Sequence, residues 1–195
     1  MIARGMGFVA ATLVLIQPVV SQPAWAQNTA WRPVVMGTNG MVASGHPLAS
    51  MAGTETLMNG GNAVDAAIAA WAVQGLVEPG MTGLGADMFI LIYSAETGEV
   101  KFINGTGPAP LAATVDFYKE RNGIPNAGAL SSDVPGALDA AGLALEKYGT
   151  QSYAQVFGPA IRLAENGFPV SYALAGQLNR GEQKLGQFAS TTKWR

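Results

Sequence analysis

Apolar positions along the chain fall into short dense runs separated by glycine, proline and asparagine. Leu48, Ala49, Ala52, Thr56 and Leu57 recur at helical spacing after Pro47. A proline in the first helical turn sacrifices no hydrogen bond, so a helix is expected to begin there. Asn59-Gly60-Gly61 supplies the left-handed residue that stops it. Asn62 then caps a second helix over Ala63 to Val77, with Asp65 placed to meet the free amides of the first turn. Asp65 is the only charge in that helix, and a helix apolar all round is buried all round. Its many alanines imply close approach of neighbouring backbones, so it is read as the central helix of a layered fold. Glu78-Pro79-Gly80 ends it.

Met88 to Tyr93 is an unbroken apolar run that reads as a strand, and Val100 to Ile103 as a second, joined through Ala95-Glu96-Thr97-Gly98 into a hairpin. A strand apolar on both faces requires cover on both. Met41 to Ser44 is a further short strand candidate. Helices are expected over Val115 to Arg121, Pro135 to Tyr148, Tyr153 to Asn166, and Ser171 to about Gln187, with Gly149 and Gly167 as stops and Ser152 and Ser171 as starts. Residues 27 to 39 read as an irregular leader. Two or three strands are few for a layered α/β domain, and no terminal strand completes the sheet.

The N-terminus carries a different pattern. Arg4, an uncharged run from Met6 to Val20, and Ala24-Trp25-Ala26 have the charged start, apolar core and small-residue site of a secretory signal peptide, residues 1–26, cut after Ala26. The run of about 15 residues is short of the ~20 that span a bilayer. The mature part is then 27–195, periplasmic or secreted, with no membrane association after cleavage.

Composition narrows the chemistry. Charged residues make up 12% of the 195 and hydrophobic ones 49%, which fits one packed domain or part of one. With 11 basic against 13 acidic residues and no basic cluster, no nucleic-acid partner is indicated. The absence of cysteine excludes disulfides, thiol nucleophiles and thiolate metal sites. A single histidine makes an all-protein zinc site unusual, and no cofactor is expected. His46 is the only candidate base for a Ser-His-Asp arrangement, but it sits just before a helix, where fixing the turn is the stronger reading, and no Gly-x-Ser-x-Gly elbow accompanies it. Gly83-x-Gly85 lacks a third glycine and precedes a strand, so it is not a dinucleotide loop. Asp87, a lone acid after that turn, is either a turn former or a polar contact to a ligand. Asn104-Gly105-Thr106 formally matches a glycosylation acceptor but reads as a tight turn after a strand.

In series, the motifs resemble one family. Met41-Val42-Ala43-Ser44-Gly45-His46-Pro47-Leu48-Ala49-Ser50, Gly60-Gly61-Asn62-Ala63-Val64-Asp65-Ala66-Ala67, Val77-Glu78-Pro79, Gly83-Leu84-Gly85, Val134-Pro135-Gly136, Tyr148-Gly149 and the run Pro159 to Val170 are similar in order and spacing to the γ-glutamyltransferase family, from about residue 38 onward. The resemblance implies an N-terminal-nucleophile hydrolase, an αββα sandwich of which this chain would be the incomplete, helix-rich N-terminal portion. It implies a precursor that cuts itself into two subunits. The new N-terminal threonine of the second subunit is the nucleophile, with its own α-amino group or an adjacent water as base. The reaction splits γ-glutamyl amides such as glutathione and passes the acyl group to water or an amino acid.

Two departures follow from the same comparison. Family members that act on γ-glutamyl substrates bind the substrate α-carboxylate with an arginine in an Arg-Glu-x-Ala-Pro segment. The matching segment here is Thr106-Gly107-Pro108-Ala109-Pro110. A neutral hydroxyl cannot supply the paired donors and charge of a guanidinium, so strict γ-glutamyl specificity is not expected. Ala86-Asp87 likewise looks more like members that hydrolyse other amides. The family's threonine and its oxyanion segment lie beyond position 195, so no catalytic residue is assigned here and the C-terminal subunit of the same precursor is the expected partner. Alone, the chain is expected to aggregate through open sheet edges and uncovered apolar faces. An alternative of another class is a non-catalytic exported binding module.

Overall fold

A computed structural model describes residues 35–185, so the signal-peptide reading of residues 1–26 and the chain beyond 185 lie outside it. The elements below all belong to the compact unit Gly37–Arg195. They run α1 (Pro47–Met58), α2 (Ala63–Val77), β1 (Met88–Tyr93), β2 (Val100–Gly105), α3 (Val115–Lys119), a 3-10 turn (Ala129–Ser131), α4 (Ala137–Tyr148), α5 (Tyr153–Asn166) and α6 (Tyr172–Leu185). No described helix is long and apolar enough to cross a membrane.

Local chemistry sets the helix ends. His46 caps α1, its Nδ1 accepting from the Leu48 N–H at 3.2 Å, and the left-handed Gly60 (φ +85°) turns the chain out of it. Asn62 and Asp65 form a capping box on α2. Ser152 and Gln155 do the same for α5, and Ser171 Oγ accepts from Leu174 N–H at the start of α6. The Glu78 carbonyl accepts from Met81 N–H at 2.9 Å, anchoring the turn after α2.

α2 lies between two apolar clusters. On one side Val64, Ile68 and Ala69 meet Ile103 of β2 and the alanine face of α4; on the other Ala72, Val73 and Val77 meet Ala49 and Ala52 of α1. α1 and α2 approach so closely that a Cβ on Gly53 would sit 2.9 Å from the Ala66 carbonyl. The alanine content of α2 is therefore a packing requirement, as expected of a central helix. Burial is nevertheless incomplete, because Ala63 and Ala67 are exposed.

Asp65, fully buried, ties α2 to a distant part of the chain. Its Oδ2 accepts from Asn62 N–H at 2.8 Å and from the Thr150 hydroxyl at 2.6 Å. Its Oδ1 accepts from the backbone N–H groups of Thr150 at 3.0 Å and Gln151 at 3.2 Å. Burial by itself pushes this carboxyl up, but the Thr150 hydroxyl and the Asn62, Thr150 and Gln151 amides outweigh it and hold the group below its ordinary value. The expectation that Asp65 serves the first turn of α2 is met, and the same side chain also closes the turn between α4 and α5.

β1 and β2 pair antiparallel, from Met88 opposite Gly105 to Tyr93 opposite Val100. The Ser94–Glu99 connection is closed by Ser94 N–H to Glu99 O and by Gly98 N–H to Ser94 O. Met88, Ile90 and Ile92 face the core beside α4. The opposite face carries Phe89 at 65%, Leu91 at 73% and Phe102 at 58% exposure, with the Phe89 and Phe102 rings stacked at 6.2 Å. Cover on both faces, expected from the apolar run, is present on one.

Besides α3 ending at Lys119 rather than Arg121 and α4 beginning at Ala137 rather than Pro135, two further expectations differ. Met41–Ser44 forms no strand, because no partner strand lies beside it to take up its backbone groups among the described residues. Asn104 and Gly105 are the last residues of β2, paired with Phe89 and Met88, and do not form a tight turn.

Candidate functional site

The two residues singled out for substrate contact, Asp87 and Thr106, lie at the same end of the hairpin. Asp87 immediately precedes β1 and Thr106 immediately follows β2, and the antiparallel register brings them together. Asp87 Oδ1 accepts from Gly107 N–H at 3.0 Å, and Asn104 Oδ1 accepts from Thr106 N–H at 3.0 Å. A third strand of chain crosses this end: Val134 N–H donates to Pro108 O at 3.1 Å and Ala137 N–H to Ala86 O at 2.9 Å.

Glycine makes the crossing possible. A Cβ on Gly107 would fall 1.3 Å from the Val134 carbonyl oxygen, and one on Gly136 would fall 2.3 Å from the Gly105 carbonyl oxygen. Backbone therefore packs on backbone on either side of Thr106, whose side chain is left exposed at the rim. Thr106 is held by its neighbours and presents a hydroxyl from a braced backbone. No larger side chain fits at Gly107 while Val134 keeps its place.

The electrostatics of this end are acidic. In the segments that build it, residues 85–87, 104–110 and 133–137, the charged side chains are Asp87 and Asp133. No cation is supplied by these segments to receive a carboxylate. Lys101 is engaged elsewhere, 2.7 Å from Glu99.

The other polar residues of the N-terminal half act as the sequence suggests. His46, Asn62 and Glu78 serve caps and turns, and His46 contacts no nucleophile among the hydrogen bonds described. Among the described residues no group of three or more histidine, aspartate or glutamate side chains could hold a metal ion. The crossing by Val134–Gly136 escaped the sequence reading. The one available signal was the spacing of Gly105, Gly107 and Gly136, single glycines whose partner is invisible until the chain is folded.

Comparison with known proteins gives this architecture a context. A Bacillus subtilis protein named glutathione hydrolase-like YwrD proenzyme is 46% identical over 158 residues, covering 80% of this chain and 30% of that protein. The Helicobacter pylori γ-glutamyltranspeptidase structure superposes with a TM-score of 0.76 at 35% identity, covering 83% of this chain and 47% of that one. A cephalosporin acylase from Bacillus halodurans matches with the same TM-score, 0.76, at 36% identity, covering 89% of this chain and 32% of that one. The chain thus spans about 30% of the length of the curated relative. The family description that matches residues 49–195 is gamma-glutamyltranspeptidase, and it covers the ordered motifs from Gly60 to Val170. This chain belongs to the γ-glutamyltranspeptidase family.

Proposed function

We propose that the chain is the N-terminal portion of an exported amide hydrolase or acyltransferase whose nucleophile, an N-terminal threonine, is supplied by a second subunit cut from the same precursor. Family membership supports the reaction class, and the relatives' designation as proenzymes supports the two-subunit origin. The residues around Thr106 support a substrate whose acyl group is not held by an α-carboxylate. In this reading Thr106 offers a hydroxyl to a neutral polar group of the acyl part, and Asp87 positions the backbone that carries it. The open face of the hairpin, with Phe89, Leu91 and Phe102, is the face on which the second sheet of an αββα sandwich packs. Export rests on the N-terminal pattern of residues 1–26.

The substrate reading is carried by Thr106 itself, in the family's arginine place, on segments 85–87, 104–110 and 133–137 that contain no lysine or arginine. A carboxylate placed against Thr106 meets a neutral hydroxyl, whereas guanidinium–carboxylate pairing contributes about 1.5–3 kcal/mol. Placing arginine at Thr106 in the complete protein is therefore expected to raise the kcat/KM ratio of γ-glutamyl-p-nitroanilide to acetyl-p-nitroanilide on the order of tenfold or more. An unchanged ratio contradicts the assignment of Thr106.

A further inference from the structure

Immediately after Thr106 the chain enters the wall of a cleft of about 710 Å³ formed by Ala109–Val115, α3 and residues 122–133. Its size lies in the range of small-molecule pockets. The loop that closes it, residues 120–136, has only the Ala129–Ser131 turn as regular structure, and connections of that length in a compact fold are commonly functional. The loop is tied to α3, since the Tyr118 hydroxyl donates to the Leu130 carbonyl at 2.7 Å and Gly123 N–H donates to Tyr118 O at 2.8 Å.

The lining decides what the cleft can take. Two of its hydroxyls are engaged inside the protein: Thr114 Oγ1 accepts from Phe117 N–H and Ser131 Oγ donates to Gly128 O. Most of the accessible wall is apolar, namely Val115, Ile124 and Leu130, all exposed, with Ala109 and Pro110; Asn122, Asp133 and Lys119, the last 3.8 Å from Asp116, supply its polar part. Exposed branched side chains gathered in a concavity mark a binding surface. Ala109 is three residues from Thr106, so their Cα atoms are no more than about 11 Å apart.

We infer that this cleft receives the apolar chain of the substrate's acyl group, the part that extends past the amide carbonyl and Thr106. The inference rests on the amide-hydrolase reading above and deepens it: the preferred substrates are amides of uncharged aliphatic or arylaliphatic acids. No bond is made or broken in the cleft; it contributes transfer of methylene groups out of water, worth roughly a fourfold gain per fully buried methylene.

The test uses the complete protein and a series of acetyl, butanoyl and hexanoyl p-nitroanilides. The hexanoyl-to-acetyl ratio of kcat/KM is expected to be on the order of a hundred, and to fall at least tenfold in Ile124→Trp and in Leu130→Trp, which fill the cleft from exposed positions. Met58→Trp, on the exposed face of α1, is expected to keep the wild-type ratio. A wild-type ratio near one, or cleft-filling variants that leave the ratio intact, overturns the acyl cleft while amide hydrolysis stands. If no anilide is cleaved, the amide-hydrolase reading fails, and calorimetric binding of hexananilide decides the cleft by itself. Binding that weakens at least tenfold in Ile124→Trp supports it, and absence of binding to the wild type overturns it.

Discussion

Replacing Asp65 with alanine is expected to lower the stability of the complete protein by about 4 kcal/mol. The carboxylate is fully buried and accepts from the backbone N–H groups of Asn62, Thr150 and Gln151 and from the Thr150 hydroxyl. Alanine leaves these donors facing an apolar void, and each unsatisfied buried donor costs roughly 1–3 kcal/mol. Asparagine keeps the shape but turns one acceptor into a donor opposite other donors, so Asp65→Asn is expected to cost about 2 kcal/mol. Urea denaturation followed by circular dichroism measures both.

The same group sets an acid limit. Its folded pKa is held below the ordinary value of 3.8, so the stabilisation it contributes is fully present above pH 3.8 and is lost as pH falls through the folded value. The wild type should therefore lose stability below about pH 4 more steeply than Asp65→Asn. Parallel pH dependences would show that Asp65 does not carry this effect.

Gly107→Ala is expected to be the most damaging single-methyl addition in the described chain. Its Cβ would stand 1.3 Å from the Val134 carbonyl oxygen, which is itself backbone and cannot rotate away. Either the 133–137 segment moves off the hairpin, breaking the Val134–Pro108 and Ala137–Ala86 bonds, or β2 ends early and Thr106 swings out of position. Overpacking against flexible side chains costs about 1–3 kcal/mol, and displacement of a crossing backbone costs more. The complete Gly107→Ala protein should lose soluble yield, or retain it and lose at least a hundredfold in amide hydrolysis. Gly85→Ala, where an added Cβ meets nothing within 4 Å, is the matched control and should behave as the wild type.

Both predictions depend on contacts that the sequence does not display. The limits of α2, β1 and α5 were legible because each is set locally: Asn62 with Asp65, an uninterrupted apolar run, and Ser152 with Gln155. Thr150, by contrast, reaches Asp65 across 85 positions, and nothing in either neighbourhood names the other. The Asp65 side chain reads as a capping acid from its spacing alone, and only its second set of donors explains why it is wholly buried. Met41–Ser44 has strand-like side chains, but a strand requires a neighbour, and sequence propensity carries no information about one. The extension of β2 through Asn104 and Gly105 was missed for a related reason. Asparagine and glycine disfavour strands locally, yet pairing with Phe89 and Met88 outweighs that preference.

The candidate site divides in the same way. Thr106 and Asp87 were separately identifiable, Thr106 from its place in a family segment and Asp87 as an isolated acid after a glycine turn. Their adjacency comes from the hairpin register, and the bracing of Thr106 comes from the Val134–Gly136 crossing. Residue types were thus legible in the sequence, while the fold supplies the bracing on which the proposed Thr106 contact rests. The exposed stacked pair Phe89 and Phe102 carries the complementary information, since an apolar sheet face of this kind is costly to leave in water and prone to association. A non-catalytic module would have to tolerate that face in its final form, whereas the first part of a larger sandwich covers it.

The central claim is that this chain is the leading part of a self-cleaving amide hydrolase, and the direct test is to express the complete coding sequence and sequence the N-termini of its products. The expected result is two subunits, the larger containing residues 37–185 and the smaller beginning with threonine, with p-nitroanilide hydrolysis abolished when that threonine is replaced by alanine. A single uncut product, or hydrolysis that survives the replacement, would contradict it.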